Sequence, residues 1–428
     1  MKNLLRRAAS FTLASSVLVS ATACNGPTNS NELLLQDQAG ISSKKDSSSN
    51  AETDWVIGVH LAADNNLYQF GLEDMNEMEA GLNTDKVKFV VLFDGAKQGD
   101  SAVYEIQKDP GGMNKTLVSK KVANPLVPAS NEIDSGDPKL AAKFADWLVS
   151  NYPAKHTGFV FWNHGAGWER AKNSFVSKPS RKIGEISTNE FCWDDNGSNM
   201  STTDLNPILE PAAKKMGKKF DILNFDACLM AHTEVAYQAR NAVDFLVASE
   251  KTEPGAGNPY DYLSKALSAK SSMSGSEAAQ MFVKSYEQSY KGQQVTLSAT
   301  NISTLVNDLT PAINSFADAM VANLATDKTE LKALRTKTAS FENYDCGDLG
   351  HFASMVSKSA AVSAPVKAAA AKVAEELAKT VVANHSSANA NAQGLMMYFP
   401  SSGSVKPRYD KLDFASNKWD EFIKAFVK

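Results

Sequence analysis

Cysteine is scarce in this 428-residue sequence, with only four, at positions 24, 192, 228 and 346. So few exclude a disulfide framework as the main source of stability. Neither a CxxC nor an HxxxH spacing occurs, so the patterns that announce a zinc site are missing. Charge of one sign is lacking too. The formal net charge is only -4, which argues against a nucleic-acid binder and admits a basic substrate without demanding one. Beyond the N-terminus no run is apolar for the roughly 18 residues that a membrane-spanning helix needs. What remains, 43% hydrophobic and 21% charged, is an ordinary globular composition, enough for one large or two medium domains.

The N-terminus stands apart. Lys2, Arg6 and Arg7 precede a stretch of small and apolar residues from Ala8 to Ala21, which ends in Ala21-Thr22-Ala23-Cys24. These are the n-, h- and c-regions of a secretory signal, read as residues 1–23. A small-x-small site and a lipobox-like Ala23-Cys24 both place the cut before Cys24. Cys24 is therefore expected to be lipidated, with acyl chains as the protein's only membrane contact. Free secretion is the alternative, because Ala21 stands where a lipobox carries a larger aliphatic residue. Residues 24–53, rich in Ser and Asn, read as a tether that cannot fold alone. The expected location is the bacterial cell envelope, at the outer surface or outer membrane.

Two apolar runs end in reactive side chains. Gly158-Phe159-Val160-Phe161-Trp162 leads into Asn163-His164-Gly165, and Ile222-Leu223-Asn224-Phe225 into Asp226-Ala227-Cys228. Each run reads as a buried strand, and in an open α/β sheet strand ends are where ligands bind. An imidazole beside a thiol accepts its proton or stabilises the charged pair, which makes the sulfur a strong nucleophile. Gly165 and Gly167 would let backbone approach a substrate, and N–H groups at Gly165 and Cys228 would hold an oxyanion. Further strands are read at 55–61, 88–93, 103–106 and 244–248. Pro138 opens a helix in which Leu140, Phe144, Leu148 and Tyr152 recur every four residues, and another helix is read at 204–216. This βαβ succession implies parallel strands. After Tyr260 the pattern turns helical, at 274–290, 302–324, 349–359 and 365–383, with a late strand at 394–399 expected to return to the sheet.

Several short strings occur in a register that resembles the clostripain family of cysteine endopeptidases, relatives of caspases, legumain and gingipains. They are Ala63-Asp64-Asn65-Asn66-Leu67, Ser135-Gly136-Asp137-Pro138, Asn163-His164-Gly165, Cys192-Trp193-Asp194-Asp195, Asp226-Ala227-Cys228-Leu229-Met230 and Thr252-Glu253-Pro254-Gly255. The likeness runs from about Asp54 to the C-terminus. It implies a caspase-like α/β/α sandwich with a mostly parallel sheet, a catalytic core over 54–260, and a mainly helical part over 261–428.

The resemblance also implies an exported endopeptidase acting on peptides or proteins through a His164 and Cys228 dyad, with preference for Arg or Lys before the cleaved bond. Asp226 matches one pocket acid. A second acid usually follows the Glu-Pro-Gly turn, but Ala256 stands there, which puts the basic preference in doubt; Glu253 could compensate. In the family a loop between the two catalytic motifs is cut at a basic residue during activation. Here the loop at 169–187 offers Lys178 first, with Arg181 and Lys182 as substitutes. Asp194-Asp195-Asn196-Gly197 resembles the start of a calcium loop but has no downstream Glu at the right distance. Calcium is therefore admitted while the chemistry itself requires no cofactor, and no metal ligand is assigned. The alternatives are a surface lipoprotein that binds peptide or glycan without turnover, and a cell-wall amide hydrolase or transpeptidase.

Overall fold

The computed structural model describes residues 52–168, 190–343 and 345–428. Cys24, residues 1–23 and nearly all of the tether lie outside them, as do Lys178, Arg181 and Lys182. Among the described residues no helix is long and apolar enough to cross a membrane.

Strand β1, Trp55–Ala63, is buried along its whole length, as a central parallel strand covered on both faces must be. Helix α1, Tyr68–Gly81, leads to β2, Val87–Gly95, which pairs parallel with β1. Strands β3, Ala102–Glu105, and β4, Lys120–Lys121, extend that edge antiparallel. Helix α2, Pro138–Asn151, starts as its sequence requires: Pro138 fills the first turn and the Asp137 carboxylate accepts from Lys139 N. It delivers β5, His156–Trp162, to the other side of β1. Helix α3, Leu205–Met216, then feeds β6, Phe220–Asp226, and the short helix α4, Thr233–Gln238, feeds β7, Val243–Ala248. Both of these strands are parallel to β5.

The order β7-β6-β5-β1-β2 reverses direction between β5 and β1. Such a switch point leaves a crevice at the carboxyl ends of the strands. Helices cover both faces. Leu140, Phe144 and Leu148 of α2 pack with Leu205 and Ile208 of α3 in one core. The opposite core joins α1 to helices α5, Tyr260–Ala269, and α6, Gly275–Ser289. The α/β/α sandwich with a mostly parallel sheet is the class expected.

The C-terminal part departs from expectation in three places. Thr296–Asn301 (β8) and Val381–Ser386 (β10) are antiparallel strands on the far edge of the same sheet, so that edge continues β7-β8-β10. The alanine-rich helix ends at Thr380, where the β-branched pair Val381-Val382 takes up extended backbone. The helix read over 302–324 is interrupted by a π-turn at Leu305–Leu309. The Thr310 N–H donates to Leu305 O, five residues back, and the Thr310 hydroxyl donates to the same oxygen (2.7 Å). Finally, the late strand does not rejoin the large sheet. Met396–Tyr398 (β11) pairs antiparallel with Cys346–Asp348 (β9) in a separate two-stranded sheet. The far edge is already occupied by β10, and β11 is held elsewhere by Met396 N to Ala231 O (2.9 Å) and Tyr398 N to Glu234 Oε1 (2.9 Å).

Candidate active site

The crevice is built where β1, β5 and β6 end. His164 and Cys228, delivered by the neighbouring strands β5 and β6, line one narrow cleft of about 30 Å3 with Leu67, Asp226, Glu253 and Gly257 among its other walls. Two backbone contacts bring the strand ends together. Asn163 N donates to Asp226 O (3.1 Å). Gly165 passes so near the thiol residue that a Cβ there would lie 2.4 Å from Cys228 O.

His164 is buried, and three groups define its position. Asn66 Oδ1 lies 2.8 Å from its Nε2. Trp193 stacks on the ring, with centroids 5.2 Å apart and planes 30° apart. Asn163 anchors that tryptophan by accepting from Trp193 N (2.9 Å) and donating to Trp193 O (2.9 Å). Cys192 precedes the tryptophan with φ 49°, a left-handed conformation that costs a non-glycine residue about 1 to 3 kcal/mol and is kept where surrounding structure over-determines it.

Cys228 is followed by a second such residue, Leu229 at φ 64°, whose N–H is taken by Lys251 O (3.1 Å). The turn presents the sulfur to Glu253 N, which donates to Cys228 Sγ at 3.3 Å. A backbone N–H aimed at sulfur stabilises negative charge there. Cys192 and Cys346 are buried thiols outside any disulfide, and burial raises both well above the ordinary thiol range. The two do not pair.

Asp226 ends β6 beneath the cleft. Its carboxylate accepts from Asn258 N (3.1 Å) and Tyr260 Oη (2.8 Å), and the buried Glu253 lines the same cleft. Burial pushes Asp226 up to about 6. Below it Asp74 accepts from Trp162 Nε1 (2.5 Å); burial first, then the charges of Asp226 and Glu77, hold Asp74 well above the usual carboxylate range. Gly257, at φ 49°, lets the 253–258 turn lie against the carboxylate, since a Cβ there would sit 2.4 Å from Asp226 Oδ1. Ala256 is exposed on the outer side of this turn and is not part of the cleft wall, whereas Glu253 is buried in it. Of the two positions weighed for a second acid, only 253 reaches the cleft.

The residues considered for calcium serve the loops instead. Asp194 accepts from Ser135 N (2.9 Å) and Asn196 N (2.9 Å), and Asn196 Nδ2 donates to Asp64 Oδ2 (2.8 Å). Burial and then Asp94 push Asp194 up to about 8, and burial pushes Asp94 to about 6. Among the described residues no three His, Cys, Asp or Glu converge as a set of ligands. No step is routed through calcium.

A model of the clostripain family matches residues 59–426. This chain belongs to the clostripain family. Clostripain itself, from Hathewaya histolytica, is 28% identical over 261 residues, which cover 55% of this chain and 46% of clostripain. The match thus spans about half of that relative's length. Among solved structures, a secreted C11 cysteine protease from Bacteroides thetaiotaomicron, bound to an irreversible peptide inhibitor, has a TM-score of 0.61 at 21% identity, covering 86% of this chain and all (100%) of that one. An inactive zymogen C11 protease from Parabacteroides distasonis has a TM-score of 0.61 at 15% identity, covering 86% of this chain and 98% of its own. At such identities these two likenesses establish the shared fold.

Asn66, Trp193, Asn258, Tyr260 and Asp74 carry no chemistry that singles them out in the sequence. A signal for Asn66 existed in the run Asp64-Asn65-Asn66 at the end of a strand, where polar residues with a local turn preference reach a switch point.

Proposed function

We propose that this chain is a cysteine endopeptidase of the clostripain type. The observation that carries this reading is the delivery of His164 and Cys228 into one cleft by adjacent parallel strands, with a backbone donor on the sulfur. The thiol proton passes to His164, and Sγ attacks the peptide carbonyl carbon. N–H groups of Gly165 and Cys228 hold the oxyanion. On collapse the C–N bond breaks, His164 returns its proton to the leaving amine, and water then hydrolyses the thioester through the same imidazole.

The substrate residue before the cleaved bond is Lys or Arg in this reading. Asp226 and Glu253 form a buried acidic floor, and no Lys or Arg is among the described residues that line the cleft. A substrate cation supplies the missing counter-charge through charge-assisted hydrogen bonds. A cleft of about 30 Å3 holds little more than one water molecule, so the pocket must widen to admit a long side chain. Cutting at Lys178, Arg181 or Lys182 is the proposed trigger, and the zymogen form of the Parabacteroides distasonis protease is consistent with such a step. Export with acylation of Cys24 is part of the same proposal.

The test is hydrolysis of a positional library of fluorogenic peptides beside a Cys228→Ala control. Cleavage after Arg or Lys that vanishes in the control is expected. Cleavage after other residues sinks the specificity, and silence after deliberate nicking within residues 169–187 sinks the enzyme reading.

A further inference from the structure

On the reading that His164 is the base for Cys228, we propose that Asn66 is its positioning residue, fixing the imidazole as the tautomer protonated on Nε2. Asn66 Oδ1 is 2.8 Å from His164 Nε2. An amide oxygen only accepts, so the hydrogen of that bond belongs to Nε2, and Nδ1 is the nitrogen left to take the thiol proton. The proton moves from Sγ to Nδ1 and later from Nδ1 to the leaving amine, while the Nε2–H bond to Asn66 is kept throughout.

The surroundings suit this role. The turn leaving β1 is fixed by Asn65, which donates to Ala62 O (3.1 Å) and Trp193 O (2.9 Å) and accepts from Leu67 N (2.9 Å). Asn66 itself is exposed, so its side chain adds little to the core and substitutions there should fold. Trp193 restricts the plane of the imidazole; Asn66 sets its rotation within that plane. The titratable groups around the ring are Asp64 on the turn from β1, Asp195 beyond Trp193, Asp226 at the end of β6 with Cys228 after it, and Glu253 after β7. Burial and then Asp64 raise Asp195 above the ordinary carboxylate range, with His164 opposing them. The atom that touches Nε2 is nonetheless a neutral amide, so the imidazolium is oriented without being trapped by a directly bonded carboxylate.

The experiment joins histidine ¹⁵N NMR of the whole protein to pH–rate profiles of Asn66→Leu and Asn66→Asp. Wild type should show the Nε2–H tautomer for His164, assigned with His164→Gln. Asn66→Leu should lower kcat about tenfold or more with KM little changed, as loss of orientation alone does. Asn66→Asp keeps the acceptor and adds charge, so it should retain most of kcat at high pH. Its acid limb of kcat/KM should move up by about one pH unit or more. An Nδ1–H tautomer in wild type, an Asn66→Leu enzyme with unaltered kcat, or an unmoved acid limb in Asn66→Asp would each overturn the proposal. The tautomer is read without turnover, so it decides the role of Asn66 even if the peptidase reading fails on the Cys228→Ala control.

Discussion

Gly165 and Cys228 meet backbone to backbone: a Cβ on the glycine would lie 2.4 Å from the Cys228 carbonyl oxygen and 3.1 Å from its nitrogen. This contact ties the two strand ends that carry the candidate base and nucleophile, and neither neighbouring atom is the flexible end of a side chain.

Gly165→Ala should therefore force the strand ends apart. The expected outcome is a loss of roughly 1 to 3 kcal/mol in stability, the range for overpacking a close contact, with at least a tenfold fall in kcat/KM. Urea denaturation and peptide hydrolysis measure the two. A variant with wild-type turnover would show that the close approach is not needed for the chemistry.

Among the described cysteines, a small thiol-alkylating reagent at neutral pH should modify Cys228 alone. Cys192 and Cys346 are fully enclosed, and burial keeps both as thiols. Peptide mapping before and after unfolding should give one modified site and then three. Early labelling of Cys192 would contradict the packing beneath Trp193.

Glu253, rather than position 256, should control selectivity for a basic residue. Removing one member of a buried charged pair costs about 2 to 5 kcal/mol, so Glu253→Ala should depress kcat/KM for Lys and Arg peptides by about thirtyfold to a few thousandfold. Ala256→Asp should change it by less than about threefold, since residue 256 is exposed off the cleft wall. A strong gain in Ala256→Asp would show that the turn rearranges when substrate binds.

Stability should fall as pH rises from about 4 to 8. Asp226 and Asp94 are pushed up to about 6, Glu190 and Glu77 to about 7 and Asp194 to about 8, burial being the largest cause in each. Across the interval between its unfolded and folded values, each group binds more proton folded than unfolded, so its contribution is present at the acid end and lost as pH climbs. Tm measured by calorimetry should be higher at pH 5 than at pH 8, and Asp194→Asn should flatten the difference. An Asp194→Asn protein with the wild-type slope would remove this carboxyl as a source.

The strands were legible because their signal is local. Buried parallel strands read as apolar runs, and those ending at Trp162 and Phe225 were recognisable with their His and Cys attached. The antiparallel strands Thr296–Asn301 and Val381–Ser386 were missed because one is rich in Thr, Ser and Asn and the other follows directly from an alanine-rich helix. Their stability comes from pairing with a distant partner. The segment 394–399 was recognised as extended, but its own residues do not say which edge accepts it.

The sequence by itself determined the fold class, the strand ends bearing His164 and Cys228, and the family register that links them, since all three are written in neighbouring residues. Tertiary structure alone decided what touches them. Asn66 reaches His164 across 98 positions, and Glu253, not residue 256, turns inward onto Asp226. Such contacts depend on sheet order and on the path of a turn, and these emerge only when long-range packing has closed the chain on itself.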